Sequence, residues 1–159
     1  MTDQNTTAAQ TPSADADKER LPEPYEKTTR HTITLDGREW RYDATLGTIA
    51  IDTAKVKPAA SIFFAAFNAV DDQGATDPTR PVTFIFNGGP GSSSTFLLLG
   101  SIAPKRIDVT DTDPVPAAPY TLADNPETLL PVSDLVFIDA AGAGFSTILD
   151  KAKPELWSV

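Results

Sequence analysis

An α/β fold, with antiparallel edge strands leading into a parallel sheet, is what the sequence predicts. Three observations carry that reading. Apolar and polar residues alternate on both sides of Asp36-Gly37, a dipeptide that favours a two-residue hairpin turn. Residues 82–86 and 135–138 are instead apolar almost throughout, as in strands covered on both faces. Each of those two runs enters a glycine-rich loop, and the first loop opens onto a helix-like segment.

Taken in order, residues 1–26 read as a disordered acidic tail. Asp3, Asp15, Asp17, Glu19, Glu23 and Glu26 oppose only Lys18 and Arg20, and Pro12, Pro22 and Pro24 interrupt any helix. Residues 27–159 form the expected domain. In it, His31-Thr32-Ile33-Thr34-Leu35 and Arg38-Glu39-Trp40-Arg41-Tyr42 are the arms of a hairpin, and Gly47-Thr48-Ile49-Ala50-Ile51 is a third strand. Residues 61–67 give a longer apolar strand ending in the polar loop 71–81. Val82-Thr83-Phe84-Ile85-Phe86 is the first doubly buried strand, followed by the loop 87–94. Thr95-Phe96-Leu97-Leu98-Leu99 then reads as a short buried helix, stopped by Gly100 or Pro104. A loop with Pro114, Pro116 and Pro119 leads to the second doubly buried strand, Leu135-Val136-Phe137-Ile138, and to the loop 139–147.

Composition narrows the chemistry. The 159 residues include 13 Lys and Arg against 22 Asp and Glu, a net charge of −9, with one His and no Cys. That balance argues against nucleic acid or an anionic membrane as partner. Without thiols there is no disulfide framework or thiolate centre, and one imidazole builds no histidine metal site, so neither metal nor cofactor is expected. The N-terminus lacks a basic segment followed by an apolar one, and no run reaches transmembrane length, so a cytoplasmic protein is expected.

The two glycine loops carry the candidate site. Asn87-Gly88-Gly89-Pro90-Gly91-Ser92-Ser93-Ser94 lets backbone approach a ligand closely, and amides at a helix start point outward as donors. Such donors suit a phosphate, a carboxylate or a developing oxyanion. No Gly-Lys-Ser/Thr ending favours phosphate, and serines that merely cap the helix are the plainer alternative. The second loop, Asp139-Ala140-Ala141-Gly142-Ala143-Gly144-Phe145-Ser146, also ends an apolar strand, which suggests one shared cleft.

These residues carry a resemblance. The first loop resembles the Asn-Gly-Gly-Pro-Gly-x-Ser-Ser signature of the serine carboxypeptidases, peptidase family S10. Residues 99–106, Asp124-Asn125-Pro126, and Asp139 with Gly142-Ala143-Gly144-Phe145-Ser146 resemble three further landmarks in the family's order, so the likeness spans roughly residues 28–148. It implies an α/β-hydrolase fold that removes C-terminal residues from peptides. It also implies roles: Asn87 and the Gly88 amide on the substrate's terminal carboxylate, and the Gly89 amide as half of an oxyanion hole. Pro90, Gly91, Asp139, Gly142 and Gly144 shape the loops. The departures are Ser92 where many relatives have Cys, Ser101 at a glutamate position, Ala140-Ala141 near a usual proline, and Ala143 for Thr or Val.

The catalytic triad is absent from the resemblance. No Gly-x-Ser-x-Gly elbow occurs, and His31 lies far upstream of both loops, where an exposed strand histidine is expected. The chain therefore reads as the N-terminal part of an α/β-hydrolase, incomplete and inactive alone. Its expected partners are a peptide C-terminus once completed, a complementing chain, or another copy of itself. A rival resemblance is to the prolyl aminopeptidases, whose first motif usually carries His where Asn87 stands. A non-enzymatic interaction fragment is the alternative from a different class.

Overall fold

The computed structural model describes residues 20–88, 91–107 and 121–157. Residues 1–19 of the expected tail, Gly89 and Pro90 of the first glycine loop, and the loop prolines Pro114, Pro116 and Pro119 lie outside the described residues.

The hairpin forms as its turn residues dictate. β1 (Glu26–Leu35) and β2 (Arg38–Ile51) pair antiparallel from Leu35 opposite Arg38 back to Glu26 opposite Gly47. Both turn residues adopt positive φ, 48° at Asp36 and 75° at Gly37, the primed geometry whose twist suits a two-residue connection. The strands expected at 38–42 and 47–51 are a single strand of 14 residues. Its first part pairs with β1 and residues 41–51 pair with β3 (Ala60–Val70), so the shared middle is bonded on both edges and does not break. Two residues placed in the expected tail, Leu21 and Tyr25, take part in the packing and pairing of the domain. Leu21 packs on the cluster of Val56, Ala59, Leu149 and Ala152, and the Tyr25 carbonyl accepts the Thr48 N–H at 2.9 Å.

β4 (Val82–Ile85), α1 (Thr95–Gly100), β5 (Lys105–Ile107), β6 (Leu122–Asp124), β7 (Asp134–Ile138), β8 (Thr147–Ile148) and α2 (Lys153–Leu156) follow in the chain. The main sheet has the order β1-β2-β3-β7-β4, with β8 also on β3, while β5 and β6 make a separate ribbon. Every pairing is antiparallel except β4 with β7. The fold is thus a mixed sheet with few helices, antiparallel strands leading into one parallel pair among the described residues.

One face of the sheet holds the core. Phe63, Ala65, Ile85, Leu135 and Phe137 are buried together, with Leu97 and Leu98 of α1 and Ile102 packed against them. Each such aliphatic or aromatic side chain contributes about 1.5–3 kcal/mol when fully buried. A second cluster joins Ile33, Leu35, Tyr42, Ala69 and Leu130. At the start of β7 the buried Asp134 accepts Arg80 Nε at 2.9 Å, Asn68 Nδ2 at 3.1 Å and the Ala69 N–H at 3.1 Å.

Two burial expectations are corrected. Residues 82–86 are not covered on both faces: Val82, Phe84 and Phe86 are 49%, 62% and 69% exposed, while Ile85 alone of the run is buried. The reason is position, since β4 is the last strand of the sheet and only one of its faces meets α1. Register puts Phe84 beside Val136, which in turn lies beside Ala66, so an apolar face opposite the core runs across three strands, half-buried at Ala66 and Val136 and exposed at Phe84. Helix α1 is likewise not buried; Phe96 is exposed, and Leu97 and Leu98 are covered on one side only.

Parallel strands with a bare apolar face associate readily. The purified chain should self-associate as its concentration rises and bind a hydrophobic dye while folded, and Phe84→Ser should reduce both. A cooperative thermal transition with monomeric sedimentation at every concentration contradicts this. Tyr42 gives a second test. Its phenol is pushed up to about 12, first by burial and then by the nearby Asp124 charge. An unfolded phenol ionises near about pH 10, so the stability from keeping Tyr42 neutral is full below that and is lost as pH climbs towards about 12. Ultraviolet absorbance titration should show one late phenol, absent in Tyr42→Phe.

Candidate functional site

Because β4 and β7 are parallel neighbours, the loops that follow them emerge at the same end of the sheet. The buried Asp139, directly after β7, joins the two. Its Oδ1 accepts the Ser93 hydroxyl at 3.0 Å and the Ser94 N–H at 2.6 Å, both from the first loop. Its Oδ2 accepts the Phe145 N–H of its own loop at 2.9 Å. The Ser94 hydroxyl crosses the same gap to the Ile138 carbonyl. Three donors thus surround one carboxylate, the arrangement that lets an ionised group sit inside a protein.

The second loop is anchored from below as well. The Asp139 N–H donates to the Phe63 carbonyl at 3.1 Å. The Ser146 hydroxyl donates to the Asp139 carbonyl and accepts the Phe63 N–H, each at 2.8 Å. Gly144, at φ 54°, lies where a Cβ would collide with the Asp139 carboxylate and come within 2.6 Å of Ser93 Oγ. Gly142, at φ 79°, leaves space for the Trp157 ring, and Gly91 has φ 82° with open surroundings.

Asn87 spans the mouth of the first loop. Its Nδ2 donates to the Ser93 carbonyl at 3.2 Å, its N–H to Ser94 Oγ at 3.3 Å, and its Oδ1 accepts the Gly88 N–H at 3.0 Å. Asn87 is half-buried and Gly88 exposed, and Asn87 has a second amide hydrogen besides the one given to Ser93. Gly89 and Pro90, which complete the expected set, lie outside the described residues. The serines do more than cap the helix: Ser93 Oγ accepts the N–H of Thr95, the first residue of α1, at 3.1 Å and also meets Asp139, while Ser94 at the N-cap position makes no side-chain cap bond, its hydroxyl being used on Ile138.

His31 is not part of this assembly. It is exposed on β1, stacked on Tyr42 at 5.6 Å and within 2.7 Å of Thr29 Oγ1. Three strand spacings separate β1 from β7, on the order of 14 Å. The Ser93–Asp139 contact therefore has no imidazole beside it, and its role is to join the loops.

Asn125 is a buried organiser that the sequence flagged only as a landmark. Its Nδ2 donates to the Ser101 and Ala103 carbonyls and its Oδ1 accepts the Glu127 N–H at 3.1 Å, which fixes the chain leaving α1. The Arg80–Asp134 pair was not foreseen; a charged residue opening an apolar strand was the available signal.

Substitutions at the junction should be costly. Asp139→Ala leaves the Ser94 and Phe145 N–H groups without an acceptor and should cost about 2–5 kcal/mol by chemical denaturation. Gly144→Ala should destabilise comparably, whereas Gly91→Ala, facing open space, should carry only the smaller backbone penalty of its positive φ.

Compared with known protein families, the chain matches the serine carboxypeptidase family model over residues 50–156. The match begins at the end of β2, leaving β1 outside, and takes in both glycine loops, so the resemblance read from residue 28 is supported from residue 50 onward. No curated protein matches the chain. The family match covers about two thirds of the sequence and decides between the two hydrolase resemblances. This chain belongs to the serine carboxypeptidase family.

Proposed function

We propose that this chain carries the carboxylate-binding and oxyanion part of a peptide-binding α/β-hydrolase site and has no hydrolytic activity as the 159-residue polypeptide. The observation behind the first half is the Asn87–Gly88 pair, presented at the carboxyl end of β4 by a loop tied to its neighbour through Asp139. A peptide's terminal carboxylate accepts the second Asn87 amide hydrogen and the Gly88 N–H, which exchanges its internal acceptor for the ligand. The Gly89 amide is assigned to the oxyanion of the attacked carbonyl. The second half rests on chemistry that is missing from the sequence: no serine elbow, and a single imidazole on a remote strand.

The exposed Val82, Phe84 and Phe86 favour one further reading. A second polypeptide that extends the sheet beyond β4 and covers this face would complete the site, with the triad supplied by that partner.

Equilibrium binding of an N-blocked dipeptide separates these ideas. Weak binding that Asn87→Ala lowers about tenfold, and that the dipeptide amide lacks, is the expected result. Release of the C-terminal residue by the purified chain alone would overturn the assignment of inactivity. Failure to bind the dipeptide would overturn the carboxylate assignment.

A further inference from the structure

We propose that a second cleft, where β2, β3 and β8 meet, binds an organic anion: an apolar body bearing a carboxylate or phosphate group. The cleft has a volume of about 310 Å³ and is walled by Leu21, Pro22, Pro24, Pro58 and Leu149. That is room for a small organic body as well as its anionic head. The site is separate from the Asn87 loop, because two strand steps lie between β3 and β4.

Charge identifies the occupant. Arg20, Lys57 and Lys151 line the cleft against a single acid, Glu23, which is already paired with Arg20. Lys57 and Lys151 make no ion pair among the described residues. Acids are abundant in a chain of net charge −9, and most of the other cations have found one: Arg30 with Asp43, Arg41 with Asp72, Arg80 with Asp134, Lys105 with Asp124. Even Asp150, next to Lys151 in sequence, pairs with Lys153 instead. A locally cationic cleft on an acidic protein concentrates anions.

The floor provides an independent observation. Ser61 lies across from Ala50 in the β2–β3 register, and both residues line the cleft. Ser61 is 3% exposed, and its hydroxyl is a buried side-chain polar atom without a hydrogen-bond partner among the described residues. Buried hydroxyls are nearly always bonded, so one left unbonded in the lining of a cleft has a bond to give to a group from outside the chain, a water or an oxyanion. An oxyanion held by the two lysines is such a group.

Fluorine NMR of small probes with dilute protein, below the onset of self-association, tests the proposal. para-Fluorobenzoate and para-fluorophenyl phosphate should bind, with the tighter of the two naming the head group, while neutral para-fluorobenzamide should bind at least about tenfold more weakly. Lys57→Gln combined with Lys151→Gln should weaken the anions about tenfold, whereas Lys27→Gln, a charge removed outside the cleft, should change them by less than about twofold. Both lysines are exposed, so the double variant should keep the parent's thermal transition. Equal binding of the benzamide, or unchanged binding in the double variant, overturns the site. Neither outcome bears on the Asn87 loop, whose carboxylate reading stands or falls with the dipeptide.

Discussion

The buried carboxylate of Asp139 is the interaction on which the candidate site depends. A glycine-rich loop has little conformational preference of its own, so two of them side by side require an external constraint to share one geometry. Asp139 provides it, taking one hydroxyl and two backbone N–H groups from segments 45 and 6 residues away in sequence. The glycine at position 144 exists for the same reason, since any side chain there would occupy the space of the carboxylate. Sequence, backbone conformation and electrostatics therefore meet at a single group.

Much of this was legible in the sequence, and the reasons are particular. Asp36-Gly37 announced its hairpin because few dipeptides tolerate two successive positive φ angles. The two apolar runs announced strands, and the glycines after them announced close approach. Exposure of β4 was not legible. A strand written for burial on both faces looks the same whether or not its neighbours are in place, so Phe84 read as core although 62% of it faces outward. Neither was the continuity of β2 legible, because Asp43 and Ala44 disfavour a strand. Pairing on both edges holds them extended.

In the site itself, residue types were readable and partnerships were not. Asn87, Gly88 and Asp139 stand out by motif, yet nothing in the sequence says that the Ser93 and Ser94 donors turn towards Asp139 and away from a ligand. Asn125 shows the same limit. A polar residue beside Pro126 suggests a turn, while its complete burial and its bonds to two carbonyls beyond α1 depend on the tertiary fold.

The Arg80–Asp134 pair has a consequence at the far end of the sheet. Arg80 also donates to the Leu130 carbonyl at 2.6 Å, and the Asp134 N–H donates to the Pro81 carbonyl at 2.9 Å, so the entrances of β4 and β7 are bolted together. From there the two strands run side by side for only four paired residues before the loops begin. Sliding one strand by a single residue would carry its loop about 3.3 Å along, more than a hydrogen bond's length. Ser94 would then miss Asp139 altogether. The ion pair at the base thus works as a vernier, setting at one end of the sheet the alignment on which the opposite end relies.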